Sequence, residues 1–185
     1  MRTPRTGLAL AVVASALIGS GGAVAAPNVI VAPAVVGRPA RAVRVNPPPP
    51  PPPPPAPAPD ILSSMLDRVN AERQVRGLGP LRYDDRLVRA AQGHSEDQAG
   101  RRQMTHDGSD GSTVVERLAR VGYLWNSAAE NVAYGYPDVA TVMAQWMASD
   151  VHRRNLLSAN TEFGIGLAYS ADGRPYWTQV FATPR

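Results

Sequence analysis

Apolar residues recur at helical spacing directly after Asp60. Intervals of three and four positions separate the larger ones, which are Ile61, Leu62, Met65, Leu66 and Val69. This spacing places all of them on one face of a helix. The pattern ends near Gly77, and the following Gly79-Pro80 is typical of a turn. The sequence therefore predicts a first amphipathic helix whose apolar face packs on the core.

Three more helices are predicted from start signals and apolar spacing. Asp84 is a candidate N-cap for the second, which continues until it frays around residues 100–103. Thr113 and Glu116 have the capping-box spacing and begin a short third helix that Gly122 closes. Pro137-Asp138 begins the fourth. The residues expected to face the core from these helices are Leu87, Val88, Ala91, His94, Val115, Leu118, Ala119, Val121, Val139, Val142, Met143, Trp146 and Met147.

The C-terminal part of the chain changes to a strand pattern. Residues 163–169 and 176–181 are rich in β-branched and aromatic residues, and Asp172-Gly173 between them predicts a hairpin. Residues 130–133 predict another short strand. Helices followed by a hairpin indicate the α+β class, with helices packed on a small antiparallel sheet. Trp177 and Phe181 are expected in its core.

The first 25 residues have the three parts of a secretion signal. Arg2 and Arg5 precede an apolar run over residues 7–18, and small residues follow up to Ala26. Cleavage is predicted after Ala25. The alternative is an uncleaved membrane anchor, but the run is shorter than the ~20 apolar residues that span a bilayer. The sequence therefore predicts a secreted or envelope-associated protein without a membrane span after cleavage.

A proline-rich segment over residues 26–59 separates the signal from the rest of the chain. It contains nine consecutive prolines, Pro47 to Pro55. Proline fixes φ and lacks an N–H donor, so the segment favours extended polyproline II. At about 3.1 Å per residue, residues 47–59 would extend roughly 40 Å. The segment is either a stalk or a disordered linker, and residues 60–185 form the single predicted domain.

Charge and cysteine content exclude several classes of function. The sequence pI is about 10.0. However, all 15 acidic residues lie from Asp60 onward, whereas only 14 of the 19 basic residues do. The domain is therefore close to neutral, which argues against a nucleic-acid partner. The chain has no cysteine, so disulfides, Cys-ligated zinc and thiol nucleophiles are excluded.

Two of the three histidines lie near other polar residues that can carry chemistry. His106 follows the second predicted helix, His152 follows the fourth, and Glu130-Asn131 lies between them in sequence. Two imidazoles and a carboxylate can hold a divalent metal or exchange protons near neutral pH. The alternative is that both histidines only cap helix ends and form structural hydrogen bonds, since no His-Glu-x-x-His motif is present. His94, at a core spacing, is expected to be structural.

An ordered set of motifs resembles a known family. It includes the stretches at residues 69–73 and 79–81, His106, residues 130–133, Trp146-Met147 through Leu156-Leu157, residues 164–168 and residues 176–181. This set resembles the bacterial branch of the CAP superfamily, named for cysteine-rich secretory proteins, antigen 5 and pathogenesis-related proteins, whose extracellular domain is called SCP. The resemblance covers residues 61–181 and implies an α/β/α sandwich with a cleft lined by two histidines and two acids.

Carried onto this sequence, the resemblance identifies His106, Glu130 and His152 as cleft residues. The second acid of many relatives aligns with Ser149, and the adjacent Asp150 is a candidate substitute. Three functions are then compatible: a module that binds a small apolar, lipid- or sterol-like ligand; a metal-assisted or His/Ser-dependent hydrolase; and a domain that binds a cell-envelope component. Binding is favoured because the second acid and a standard nucleophile motif are missing. Zinc or another divalent metal on His106 and His152 is the cofactor expected.

Overall fold

The computed structural model describes residues 58–185. The secretion signal predicted over residues 1–25 lies outside the described residues, as does almost all of the proline-rich segment predicted over 26–59. Within residues 58–185, no helix has both the length and the apolar content needed to cross a membrane.

Five helices and four strands make up the described part of the chain. In chain order they are α1 (Pro59–Gln74), β1 (Arg82–Tyr83), α2 (Asp85–Arg101), α3 (Val114–Arg120), β2 (Trp125–Tyr134), α4 (Val139–Ala148), α5 (Asp150–Leu156), β3 (Glu162–Tyr169) and β4 (Pro175–Pro184). The predicted start signals are present in the structure. Asp84 accepts a hydrogen bond from the backbone of Arg86, and Thr113 and Glu116 form the capping box.

The four strands form one sheet in the order β1-β3-β4-β2. β4 pairs antiparallel with both β3 and β2, whereas the two-residue β1 is parallel to β3 and was not predicted. β2 is also longer than predicted, because its pairing with β4 extends from Trp125 to Tyr134. It lies at a free edge of the sheet, and this edge carries the candidate site.

Helices cover both faces of the sheet, so the predicted α+β class and α/β/α sandwich are confirmed. One apolar cluster joins α1, α4 and α5 to one face, and a second joins α2 and α3 to the other. Alternate residues of β4 belong to different clusters: Trp177 and Phe181 to the first, Val180 and Ala182 to the second. This alternation is the two-residue period of a strand buried on both sides.

Two glycines allow α2 to lie unusually close to β3. A Cβ atom at Gly164 would lie 2.2 Å from the carbonyl carbon of Leu87, and one at Gly166 would lie 2.4 Å from that of Ala91. The helix backbone therefore occupies the space that side chains on β3 would need. Gln92 reinforces the contact, because its amide donates to the carbonyl of Leu167 and accepts from the same residue's N–H.

The helix predicted after Pro137 is present as α4, and a second helix that was not predicted, α5, follows it directly. Ser149 has an extended backbone, with φ −95° and ψ 121°, and it ends α4 and begins α5. His152 consequently lies within α5 and not just past a helix end, as the sequence predicted. The break turns α5 onto the edge of β2, where Asn155 donates to the carbonyl of Glu130 at 3.1 Å.

Candidate functional site

A buried carboxylate, Glu130, is at the centre of the site. Its side chain is only 3% exposed, and both of its oxygens are paired. Oε1 lies 2.9 Å from Nδ1 of His106, and Oε2 lies 2.6 Å from Nη2 of Arg117. Nε2 of His94 is also near, at 3.9 Å from Oε1. Three groups able to carry positive charge therefore surround one carboxylate.

These contacts keep Glu130 ionised. Burial alone would raise the pKa of its carboxyl, but the hydrogen bond from His106 and the positive charge of Arg117 outweigh burial, so the pKa lies below its ordinary value. An ionised carboxylate can only accept hydrogen bonds. Nδ1 of His106 therefore carries the hydrogen, and Nε2 is the nitrogen left to meet a ligand.

Arg117 was not recognised as a site residue from the sequence. It is buried on α3, where Nη1 donates to the carbonyl of Ser112 at 2.7 Å while Nη2 holds Glu130. The predicted apolar stripe of this helix included Val115 and Ala119, but Ala119 is exposed, and the inward face consists of Val114, Arg117, Leu118 and Val121. The sequence signal that could have revealed it is an arginine at a core position of a short helix, because a buried arginine needs an acidic partner.

The loop after α2 fixes His106. The backbone N–H of Thr105 donates to the side chain of Gln98, and its carbonyl lies 2.9 Å from Nε2 of His94. Its hydroxyl accepts from the N–H of Asp107. Thr105, the residue before His106, is thus anchored to buried side chains of α2, which fixes where the imidazole meets Glu130.

His94 is buried and hydrogen-bonded, as the sequence predicted. Because a carbonyl oxygen accepts, Nε2 of His94 must carry the hydrogen in the contact with Thr105. Burial lowers the pKa of His94, more strongly than the neighbouring Glu130 raises it. The ring is therefore neutral near pH 7.

His152 approaches the edge strand from the other helical layer. Successive residues of a strand point to opposite faces, so Asn131 lies on the side away from the Glu130 carboxylate. Asn131 donates to the carbonyl of His152 at 3.2 Å, and Asn155 donates to the side-chain oxygen of Asn131 at 2.8 Å. Burial lowers the pKa of His152, and so does the positive charge of His106. Within residues 58–185, a hydrogen bond joins His106 to Glu130, whereas the side chain of His152 forms no such bond to either residue.

The residues at the position of the second acid do not complete a four-residue cluster. Ser149 is the N-cap residue of α5, but its hydroxyl makes no capping hydrogen bond. Asp150 is 77% exposed and pairs with Arg153 on the same helix. Within residues 58–185, no three His, Asp or Glu side chains form a group that could hold a metal ion. A closed metal site does not fit these residues.

The lowered pKa values predict that acid destabilises this protein. The unfolded chain takes up protons at its histidines near pH 6.5 and at its glutamates near 4.3, whereas folded His94, His152 and Glu130 do so only at lower pH. Unfolding below pH 6.5 therefore takes up protons, and the free energy of unfolding should decrease as the pH falls. Urea denaturation between pH 8 and 4.5 measures this, and the decrease should be smaller in His152→Gln. Stability that rises from pH 8 to 5.5 would contradict the assignment.

Sequence comparisons place the chain among bacterial proteins with the same domain. The profile of the cysteine-rich secretory protein family, CAP, matches residues 66–181. Two Bacillus subtilis proteins, the uncharacterized YkwD and the uncharacterized membrane protein YlbC, are each 32% identical over 118 residues, or 63% of this chain. The match covers 45% of YkwD and 33% of YlbC, so this chain spans less than half of these relatives.

Solved structures show the same fold. An extracellular protein with an SCP domain from Bacillus anthracis is 29% identical with a TM-score of 0.61, over 67% of this chain and 40% of that chain. A cysteine-rich secretory protein from Staphylococcus aureus is 26% identical with a TM-score of 0.56, over 67% and 38%. An outer surface protein from Borrelia burgdorferi, 20% identical, has a TM-score of 0.62 over 66% and 92%. The profile match and the shared sandwich establish that this chain belongs to the cysteine-rich secretory protein (CAP) family, in its bacterial SCP-like form.

Proposed function

We propose that this protein is a secreted binding module in which His106, Glu130 and His152 form the ligand-binding cleft. The observation that carries the proposal is the pairing of both Glu130 oxygens with Arg117 and His106. A carboxylate held in this way orients the imidazole of His106 and has no free oxygen to act on a substrate. The arrangement supports recognition more than chemistry.

The alternative, a hydrolase, would need a general base and an activated nucleophile. A general base works best with a pKa near the working pH, but the pKa of Glu130 is lowered. Ser149 is the candidate nucleophile, and among residues 58–185 its hydroxyl makes no hydrogen bond to a histidine. The standard relation between nucleophile and base is therefore not formed.

A divalent metal, when bound, would be held by His106 and His152 and would supply Lewis acidity toward a ligand in the cleft. Glu130 then corresponds to the carboxylate that accepts from the second ring nitrogen of a metal-binding histidine and fixes its orientation. Two imidazoles leave the remaining coordination positions to water or ligand, which is typical of an exchangeable site. His152 supports this assignment because its lowered pKa keeps the imidazole neutral and able to donate to a metal.

The ligand class proposed is a component of the cell envelope, with a small lipid- or sterol-like molecule as the second candidate. The predicted secretion signal and the extracellular description of the B. anthracis relative support a location outside the cell. The charged and polar groups of the proposed cleft, which include His106 and Glu130 with its partner Arg117, favour a polar envelope component. Native mass spectrometry of the exported protein tests this directly, since it reports bound metal and bound lipid together.

Zinc should stabilise the folded protein through the histidine pair. At a hundredfold excess over Kd the gain is about 2.7 kcal/mol, because zinc binds the native state preferentially. His106→Ala and His152→Ala should each remove most of the gain. Glu130→Gln should weaken zinc binding by about 10- to 100-fold without abolishing it, since it alters only the partner of a ligand. Thermal unfolding with and without zinc measures each effect.

Two further results separate a shared site from nonspecific metal binding. Ser149→Glu restores an acid where many relatives carry one, so zinc affinity should increase. The zinc response should also weaken below about pH 6, where imidazoles become protonated. If the two alanine variants respond to zinc as the wild type does, His106 and His152 do not share a metal ion, and the ligand surface lies elsewhere.

A further inference from the structure

Helix α1 runs antiparallel to β3 on one face of the sheet. Arg73, near the end of the helix, donates to the carbonyl of Asn160, which lies just before β3. Met65 lies opposite the middle of the strand, because its sulfur accepts at 3.2 Å from the amide of Gln179, the cross-strand partner of Ile165. The start of α1 therefore lies toward the end of the sheet at which β3 stops.

The length of α1 brings its first residues to that end of the sheet. At about 1.5 Å per residue, Pro59 lies roughly 9 Å beyond Met65 along the helix axis. At about 3.3 Å per residue, Tyr169 lies roughly 13 Å beyond Ile165 along the strand. The chain that leads into α1 through Ala58 therefore enters the fold at the same end of the sheet as Tyr169, the last residue of β3.

Tyr169 presents an exposed aromatic ring on the same face of the sheet as α1. Leu167, two positions earlier, belongs to the apolar cluster of α1, α4 and α5, and the two-residue period of a strand puts Tyr169 on this face. Tyr169 is 59% exposed, more than any other aromatic residue within residues 58–185. Its ring therefore extends the apolar cluster outward at the end of the sheet where α1 begins.

The chain before α1 has a composition that suits packing on an aromatic ring. Ala58 has φ −56° and ψ 139°, which are close to polyproline II values. Each of residues 53–57 is a proline or directly precedes one, so the sequence favours the same extended conformation throughout. Polyproline II segments are commonly recognised by exposed aromatic side chains, because a preformed extended segment loses little entropy on binding.

We propose that residues 53–57 pack across the ring of Tyr169, so that the proline-rich segment leaves the domain in a fixed direction. These residues directly precede Ala58, and at about 3.1 Å per residue they extend roughly 16 Å, which is enough to cross one tyrosine ring. The covalent connection gives the segment a high effective concentration at the ring, so a small contact suffices. The segment is then a stalk with a fixed base, the first of the two alternatives that its composition leaves open.

The test measures how well a flavin dye reaches the Tyr169 ring in the exported protein, by photo-CIDNP NMR. The test variant replaces the four prolines that directly precede α1 with serine: Pro53→Ser, Pro54→Ser, Pro55→Ser and Pro57→Ser. The control variant replaces four prolines further from the domain: Pro47→Ser, Pro48→Ser, Pro49→Ser and Pro50→Ser. The Tyr169 signal should rise at least twofold in the test variant, because serine removes the apolar rings and the fixed φ, and it should not change in the control.

The converse experiment changes the ring and observes the segment. Ala56 carries the backbone N–H that the prolines around it lack, so its amide resonance reports on the contact. Tyr169→Ala should shift this resonance, whereas Tyr134→Ala, which removes a ring that is 45% exposed on β2, should leave it in place.

Three results would overturn the proposal. The first is a Tyr169 signal that is as strong in the wild type as in the test variant. The second is an Ala56 resonance that does not respond to Tyr169→Ala. The third is a Tyr169 signal that falls as the protein concentration rises, since this would assign the ring to a contact with a second copy of the chain.

Discussion

Gly166→Ala is expected to lower the free energy of unfolding by about 3 kcal/mol or more, the upper end of the cost of overpacking a core. The added Cβ would lie 2.4 Å from backbone atoms of Ala91, and a helix backbone cannot move aside as the end of a flexible side chain can. Relief would require α2 to separate from β3, which would also break the hydrogen bonds of Gln92 to Leu167.

Urea denaturation of Gly166→Ala measures the loss, and Gly100→Ala is the matched control. Gly100 lies near the end of the same helix, is exposed, and has no atom within 4 Å of the place that an added Cβ would occupy. That substitution should leave stability unchanged or raise it by up to about 1 kcal/mol, because alanine favours helix. Equal midpoints for Gly166→Ala and wild type would show that α2 and β3 are not in backbone contact.

Arg73→Met is expected to cost about 3–5 kcal/mol, since it leaves several buried carbonyls without a donor at about 1–3 kcal/mol each. Arg73 is 4% exposed, and its donors meet no carboxylate within residues 58–185. It donates instead to four backbone carbonyls, those of Gly79, Leu156, Ser158 and Asn160. These bonds join the end of α1 to the connection between α5 and β3. Their loss should therefore loosen the C-terminal end of α5, the helix in which His152 lies.

Arg76→Met is the control for this prediction. Arg76 is three residues further along and forms an exposed ion pair with Glu72 at 2.7 Å. Exposed substitutions of this kind change stability by no more than about 0.5 kcal/mol. Chemical denaturation of both variants should therefore separate them clearly. A loss in Arg73→Met no larger than in Arg76→Met would mean that water replaces the guanidinium at these carbonyls.

Local signals predicted most elements of the fold but not α5, the short helix that follows α4. Helix starts at Asp84 and Thr113 and the hairpin at Asp172-Gly173 depend on residues close in sequence, so the pattern was sufficient. The extended backbone of Ser149 has no such local signal. It is stabilised by the docking of α5 on β2, where Asn155 bonds the backbone of Glu130. A contact between residues 25 positions apart is not visible in local periodicity.

The candidate site, like the fold, could be predicted from the sequence only in part. The family resemblance identified His106, Glu130 and His152 as candidates, and the structure joins the first two, but it gave no indication that Arg117 pairs with Glu130. Asp150 was a reasonable substitute for the missing acid by position, yet in the structure it pairs with Arg153 in solvent. Which groups surround a buried carboxylate depends on how α2, α3 and the loop between them pack together, and this determines its pKa.

The sequence by itself determined the class of the fold, the family and the near-neutral charge of the domain, because periodicity, motif order and composition are properties of the chain alone. Only the tertiary structure decided that both oxygens of Glu130 are paired, one with His106 and the other with Arg117. The physical reason is that a side chain's chemistry depends on its burial and its partners, which come from segments distant in sequence.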